Sequence, residues 1–216
     1  MSTTTFRASL VAVADRPYHH GNLRAALIAH AEGTLREQGL EALSLRELAR
    51  QAGVSHAAPR RHFANRQALL DALAESGWSR LGAEVRTAAD TAGDDYEARL
   101  RAAGKAYVRF ATRDAALLEL MFAGRQGRQI AALQETAARA FLVLVELIEE
   151  GQSRGALEPS DPEPMALLLF ATTQGIAALV NAGIIAPKRL DQLVASAIGR
   201  FLHSPRTPAS ATPQAG

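Results

Sequence analysis

The chain has 216 residues, 48 % of them hydrophobic, which is enough apolar material for a real core and for one or two domains. Six histidines and no cysteine exclude disulfides, cysteine nucleophiles and thiolate metal sites, and they fit a reducing compartment. The net charge of +2 conceals an asymmetry: residues 1–70 hold nine arginines against five acids, whereas 71–216 hold fifteen bases against seventeen acids. Such a split suits a polyanion-binding module joined to a module with another task.

Residues 1–15 read as a disordered arm, because the five-residue apolar run in "MSTTTFRASLVAVADRP" is short of the roughly 7 to 15 residues of a secretory h-region. Leu23, Leu27, Ala31 and Leu35 then recur every fourth residue and predict a first amphipathic helix. The segment "SLRELARQAGVSHAAPRRHFANRQALL", 44–70, has no acid after Glu47 and carries Arg50, Arg60, Arg61 and Arg66. Ser44 and Glu47 form a capping box, in which the serine hydroxyl accepts from the Glu47 backbone and the glutamate reaches back. A short helix follows, with Leu45, Leu48, Ala49 and Ala52 on its apolar side. Gly53 supplies the left-handed turn, Ser55 caps a second helix to about residue 63, and Ala49 keeps the crossing close. Helix, tight turn, helix is a helix-turn-helix pattern.

With Val54, Ala58 and Phe63 turned inward beside Leu45 and Leu48, the second helix presents Ser55, His56, Ala57, Arg60 and Arg61 outward. A small-residue first turn fits a DNA major groove about 12 Å wide, and two arginines behind it reach phosphates at its edge. On spacing alone a bland alternative stays open: the arginines solvate the surface of a small three-helix domain. Pro59, inside the first turn of that helix, costs at most about one hydrogen bond.

The remaining chain also reads as helices. Leu70, Leu73, Trp78, Leu81 and Val85 mark one that ends near "TAGDD", and Tyr96, Leu100, Ala103, Tyr107 and Phe110 mark the next. A short apolar piece, "LLELMF" at 117–122, precedes a five-turn stripe of Ile130, Leu133, Ala137, Phe141, Leu144 and Ile148. After the break "GQSRGALEPSDPEP" comes an uncharged stretch, 165–186, and then an amphipathic helix with Leu190, Val194, Ala197 and Phe201. The uncharged stretch is long enough to cross about 30 Å of hydrocarbon, but polar residues and glycines interrupt it and no aromatic belt flanks it. It reads instead as a helix sandwiched between the core and a partner subunit. The tail 205–216, rich in Pro, Ser, Thr and Ala, reads as disordered.

The run "SLRELARQAGVSHAAPRRHFANRQALLDAL", preceded by a helix of about sixteen residues, resembles the N-terminal domain of the TetR family of bacterial transcription regulators. The likeness covers about 18–73 and rests on the pattern A-x-x-A-G-V-S, four residues, then H-F and x-x-K/R-x-x-L; beyond it only length and helical character match. The resemblance implies that 55–63 is the recognition helix and adds Ser44, Arg46, His62 and Arg66 to the DNA-facing set, the last where the family usually has a phosphate-bound lysine. Arg60 departs from the family, which commonly has a phosphate-bound tyrosine there; an arginine keeps the phosphate or extends to a guanine edge.

The expected architecture is therefore all-α: an N-terminal three-helix DNA-binding domain with the helix-turn-helix at 16–66, and a C-terminal helical ligand-binding and dimerisation domain at 67–204, entered by a connecting helix at 67–90. The resemblance implies a cytoplasmic regulator, a repressor released from operator DNA by an unidentified small-molecule effector. Candidates to line its cavity are Trp78, Tyr107, Met121, Phe122, Phe141, Phe170, Thr173 and Gln174, each of which plain core packing also explains. Helices at about 165–184 and 188–202 are expected to form the homodimer. The connecting helix starts at the DNA-facing segment and ends beside the expected cavity, so filling space at Gly77 is expected to disturb signalling more than DNA binding. No metal, cofactor or catalysis is expected: His19 and His20 point apart, His30, His56, His62 and His203 have no ligand cluster, and nucleotide-loop and nucleophile-elbow motifs are absent. The alternatives are a membrane-anchored helical DNA-binding protein and an all-α enzyme.

Overall fold

The computed structural model describes residues 23–127 and 131–202; the expected arm and tail, His19, His20, Ile130 and His203 lie outside them. The described residues form eight α-helices and no strand. The first three are α1 (Leu23–Gln38), α2 (Leu45–Gln51) and α3 (Arg66–Thr91). They are followed by α4 (Tyr96–Arg113), α5 (Ala115–Gly127), α6 (Ala131–Ser153), α7 (Pro162–Asn181) and α8 (Leu190–Leu202). Side-chain caps start several of them: Asn65 accepts from the Ala68 N–H at 2.9 Å, Asp95 from Ala98 at 2.9 Å and Asp161 from Glu163 at 3.2 Å.

Helix α3 is the axle, packing against α1, α4, α5 and α6. Leu69, Leu73, Gly77, Leu81, Val85 and Ala89 recur every fourth residue on it and all are buried. Gly77 does not face free space. A Cβ there would lie 2.6 Å from Met121 Sδ and 3.3 Å from Leu117 Cγ, so glycine is what lets α5 seat on α3. A larger residue at 77 would overpack this crossing, a stability cost additional to any effect on signalling.

The N-terminal unit, referred to below as the head, comprises α1, α2 and the segment up to the start of α3, and closes under α1. Leu27, Leu35, Leu48 and Phe63 are buried together with Leu69 and Leu73 of α3, and Arg24 stacks over the Phe63 ring at 5.7 Å. In the larger unit Ala166, Leu169, Thr173, Ala177 and Val180 form the buried face of α7, which packs on α4, α6 and α8. Leu167 and Leu168 on its other side are 57 % and 60 % exposed. This helix is long and apolar enough to cross a membrane, with a mean hydropathy of 1.4, but its buried face is committed to its neighbours in the fold. It stops at Asn181, short of the expected end at about 184, and Asn181 Nδ2 donates to the Ala111 carbonyl at 3.0 Å. On α8 the buried residues are Leu190, Val194 and Ile198, whereas Ala197 and Phe201 of the expected stripe are half-buried.

One ion network ties the head to the larger unit. Asp114, between α4 and α5 with its side chain 2 % exposed, accepts from Arg36 of α1 at 2.6 and 2.9 Å, Arg80 of α3 at 3.0 Å and Arg113 of α4 at 2.9 Å. Arg80 also reaches Glu32 of α1 at 2.8 Å, and Arg113 reaches Glu84 of α3 at 3.0 Å. Phe110 lies beneath both guanidiniums, 5.1 Å from Arg80 and 5.5 Å from Arg113. Burial pushes the Asp114 carboxyl up, but hydrogen bonds from Arg36 and Arg113 and the charges of Arg80 and Arg113 outweigh it and hold it below the usual carboxylate range. Its folded-state value is thus below the unfolded one, so its stabilisation is complete above about pH 4 and is lost as pH falls through the folded value. Because Arg36 and Arg113 are half exposed, Asp114→Ala is expected to cost about 2–3 kcal/mol, below the range for a fully buried pair. Urea unfolding at neutral pH measures this, and Asp114→Asn should flatten the loss of stability on acidification; unchanged curves for both would show the network to be idle.

Candidate nucleic-acid interface and interior cavity

The turn after α2 is built as the sequence implies. Gly53 adopts φ +66°, Val54 N–H donates to the Ala49 carbonyl at 3.0 Å and Gly53 N–H to Arg50 at 3.2 Å, which closes the last carbonyls of α2. Half of the capping box forms: Ser44 Oγ accepts from Glu47 N–H at 3.1 Å. The Glu47 carboxylate does not reach back; it takes Arg50 at 2.9 and 2.5 Å and Gln51 at 3.2 Å, because a charge-assisted pair one turn ahead outcompetes a backbone N–H.

The expected α-helix at 55–63 is a turn followed by the 3₁₀ helix Pro59–Arg61. Ala58 N–H donates to Ser55 O at 2.9 Å, Arg61 to Ala58 at 3.2 Å and His62 to Pro59 at 3.0 Å, all spaced three residues apart. Pro59 has no N–H to offer the Ser55 carbonyl, so the four-residue ladder loses its first rung. The sidedness survives this change. Phe63 and Pro59 are buried and Val54 and Ala58 half-buried, while Ser55, His56, Ala57, Arg60, Arg61 and His62 are exposed. Ser44 and Arg46 are exposed on the adjoining start of α2, and the guanidiniums of Arg46, Arg60 and Arg61 have no hydrogen-bond or ion-pair partner among the described residues.

Arg66 is exposed as well, but its guanidinium is engaged. Nε donates to the Leu43 carbonyl at 3.1 Å and Nη2 to the Leu40 carbonyl at 2.6 Å, which pins the start of α3 to the α1–α2 connection. Alanine at 66 would remove both contacts that hold the start of α3.

Beyond Arg66, α3 forms one wall of a cavity of about 290 Å³ shared with α4, α6 and α7. Of the expected lining, Trp78, Tyr107, Phe141, Phe170 and Thr173 face it. Met121, Phe122 and Gln174 do not. Met121 is buried in the crossing at Gly77, and Phe122 stands edge-on to Trp78 with ring centroids 5.3 Å apart and 6.2 Å from Phe170. Gln174 Oε1 accepts the Tyr107 hydroxyl at 2.5 Å, so it orients a lining residue from outside the wall. Burial pushes the Tyr107 phenol up, and it stays a protonated donor. Leu81, Val85, Ala103, Ala137 and Leu144 also line the cavity, each three or four residues from a named aromatic or from another of the set; helical spacing was the signal that would have found them. Glu163 and Leu167 of α7 line it at the solvent side, where both are exposed. No group of three or more His, Asp or Glu among the described residues is arranged to hold a metal.

A helix-turn-helix head on a long helix shared with a second helical unit is the architecture of a DNA-binding regulator. The profile of bacterial regulatory proteins of the tetR family matches residues 27–73, and that of tetracyclin repressor-like C-terminal domains matches residues 100–201. The chain belongs to the TetR family of transcriptional regulators. Among solved structures, a protein of unknown function from Rhodococcus sp. RHA1 is 43 % identical with a TM-score of 0.79, over 87 % of this chain and 97 % of that one. A TetR-family transcriptional regulator from Pectobacterium atrosepticum is 25 % identical with a TM-score of 0.67, over 87 % and 97 %. One from Thermus thermophilus, 19 % identical with a TM-score of 0.60 over 82 % and 96 %, shares the fold. No curated protein sequence matches the chain.

Arg66→Ala removes two hydrogen bonds made by a charged but exposed group and is expected to cost about 1–2 kcal/mol, lowering Tm by a few degrees. Calorimetric melting checks this; an unshifted Tm would show that the two carbonyl contacts contribute nothing.

Proposed function

We propose that the chain represses transcription in the cytoplasm as a homodimer whose two heads grip an operator, and that a small molecule entering the cavity releases it. The observation that carries this reading is the course of α3: it begins at Arg66, beside the exposed basic face, and bears Trp78, Leu81 and Val85 on the cavity wall. A ligand releases DNA only if it binds two arrangements of such a helix unequally, and a hundredfold loss of operator affinity needs about 2.7 kcal/mol of difference.

Ser55, His56 and Ala57 are assigned to base edges, because a small-residue turn enters the groove without clash. Arg46, Arg60 and Arg61, exposed and unspent, are assigned to phosphates, with Ser44 and His62 at the margin. Arg66, held by two carbonyls, keeps at most a secondary phosphate contact. The homodimer is assigned to α7 and α8, where Leu168, Ala171, Gly175, Ala178 and Leu179 leave an exposed, uncharged stripe on α7.

DNA fragments selected by the purified chain from a random pool supply the operator for the test. Arg60→Ala and Arg61→Ala should each weaken binding to every sequence and flatten the salt dependence by about one unit of slope. Substituting His56 should alter which operator is preferred. Operator affinity indifferent to both arginines at moderate salt would contradict the assignment of this face to DNA.

A further inference from the structure

The cavity shared by α3, α4, α6 and α7 has one charged residue in its lining, and that residue is a carboxylate. Glu163 is exposed at the solvent side, and its carboxylate has no hydrogen-bond or ion-pair partner among the described residues. No lysine, arginine or histidine lines the cavity, so nothing in its wall neutralises that charge. On α7, Glu163, Leu167 and Phe170 follow one another at helical spacing, which puts them on one face; the first two are exposed and the third is half-buried, so the face runs from the mouth inward.

The interior offers an occupant aromatic and aliphatic contact but no side-chain proton. The Tyr107 and Phe141 rings stand at 66° and 89° to that of Phe170, with centroids 5.4 and 6.3 Å from it, so their faces point in more than one direction, and ring faces attract cations. Thr173 Oγ1 donates within its own helix, to the Leu169 and Phe170 carbonyls at 3.0 Å, and the Tyr107 hydroxyl donates to Gln174. The Trp78 indole N–H is fully buried and open to no occupant. An anion entering would lose water with no donor to replace it, after passing Glu163. A cation whose charged head stays at the mouth keeps part of its hydration and meets the opposite charge.

Resting on the effector reading above, we infer that the cavity takes a compact apolar amine, held as a monovalent ammonium ion with its head beside Glu163 at the mouth and its hydrocarbon body among the aromatic rings. The volume of about 290 Å³ is at the low end for small-molecule sites and limits the body to a single ring or a short chain. Because the pairing at the mouth is solvent-exposed, it decides which ion is admitted more than how tightly the body is held.

Three probes of one shape separate these features: cyclohexylmethylammonium, cyclohexylmethanol and cyclohexanecarboxylate, titrated calorimetrically into the full chain at about pH 7, where the amine and the acid are both ionised. The ammonium is expected to bind about threefold more tightly than the alcohol, the scale of one exposed ion pair, and at least about thirtyfold more tightly than the carboxylate, the scale of an anion left without a donor. Glu163→Gln, at an exposed position, should weaken the ammonium about threefold and leave the alcohol unchanged, with melting confirming that the variant folds. A carboxylate bound as tightly as the ammonium would overturn the assigned charge, and an alcohol bound as tightly would overturn the need for one. Undiminished ammonium affinity in Glu163→Gln would overturn the placement of the head, and absence of binding by all three probes would overturn the ligand class altogether. The effector reading is judged separately: an ammonium that binds as expected yet leaves operator affinity unchanged at saturation would overturn that reading and leave the ligand class standing.

Discussion

The geometry of the head depends on a carboxylate that belongs to the other unit. Asp114 takes guanidinium donors from α1, α3 and α4, and only the first of these lies wholly within the reading head. Three arginines around one buried carboxylate would be a costly arrangement without Glu32 and Glu84, which complete a balanced set of charges. The net result is a joint with direction. Guanidinium forks fix angle as well as distance, which apolar contact between α1 and α5 does not.

The same joint touches two of the four helices that wall the cavity, α3 near its middle and α4 at its C-terminal end. On α3, Trp78 lines the cavity two residues before Arg80, and on α4 Tyr107 lines it one turn before Phe110, which stacks under Arg80 and Arg113. A shift of either helix by an occupant is therefore passed to charged groups with narrow geometric tolerance. In the proposed mechanism these groups, more than the softer apolar contacts, convert occupancy into head position, because packed and paired elements move between discrete arrangements.

Fold and site were unequally legible in the sequence. The helix stripes read correctly wherever one face is buried and the other wet: Leu23, Leu27, Ala31 and Leu35 on α1, and Tyr96, Leu100, Ala103, Tyr107 and Phe110 on α4, are all buried or nearly so. The outward set at 55–62 also held, since sidedness follows from Val54, Ala58 and Phe63 whether the backbone is α or 3₁₀. What failed depended on partners distant in sequence. That Arg66 would be spent on Leu40 and Leu43 carbonyls, that Met121 would fill the notch at Gly77, and that Asp114 would collect Arg36 and Arg80 are facts of tertiary approach, with sequence separations of 23 to 78 in the hydrogen-bonded cases. The cavity shows the same limit. Aromatic residues could be named as candidates, but Phe122 and Phe141 are distinguished only by which way their helices roll.

In the proposed dimer the Asp114 joint would hold the two heads in register. The chain has no cysteine, so a single spin label at Ala57→Cys, an exposed position in the head, reports the distance between heads of a dimer without interference. The expected result is one narrow distance distribution near one DNA turn, roughly 34 Å, and a broadened one when Asp114→Asn is added. A distribution that stays equally narrow and unshifted in Asp114→Asn would contradict it.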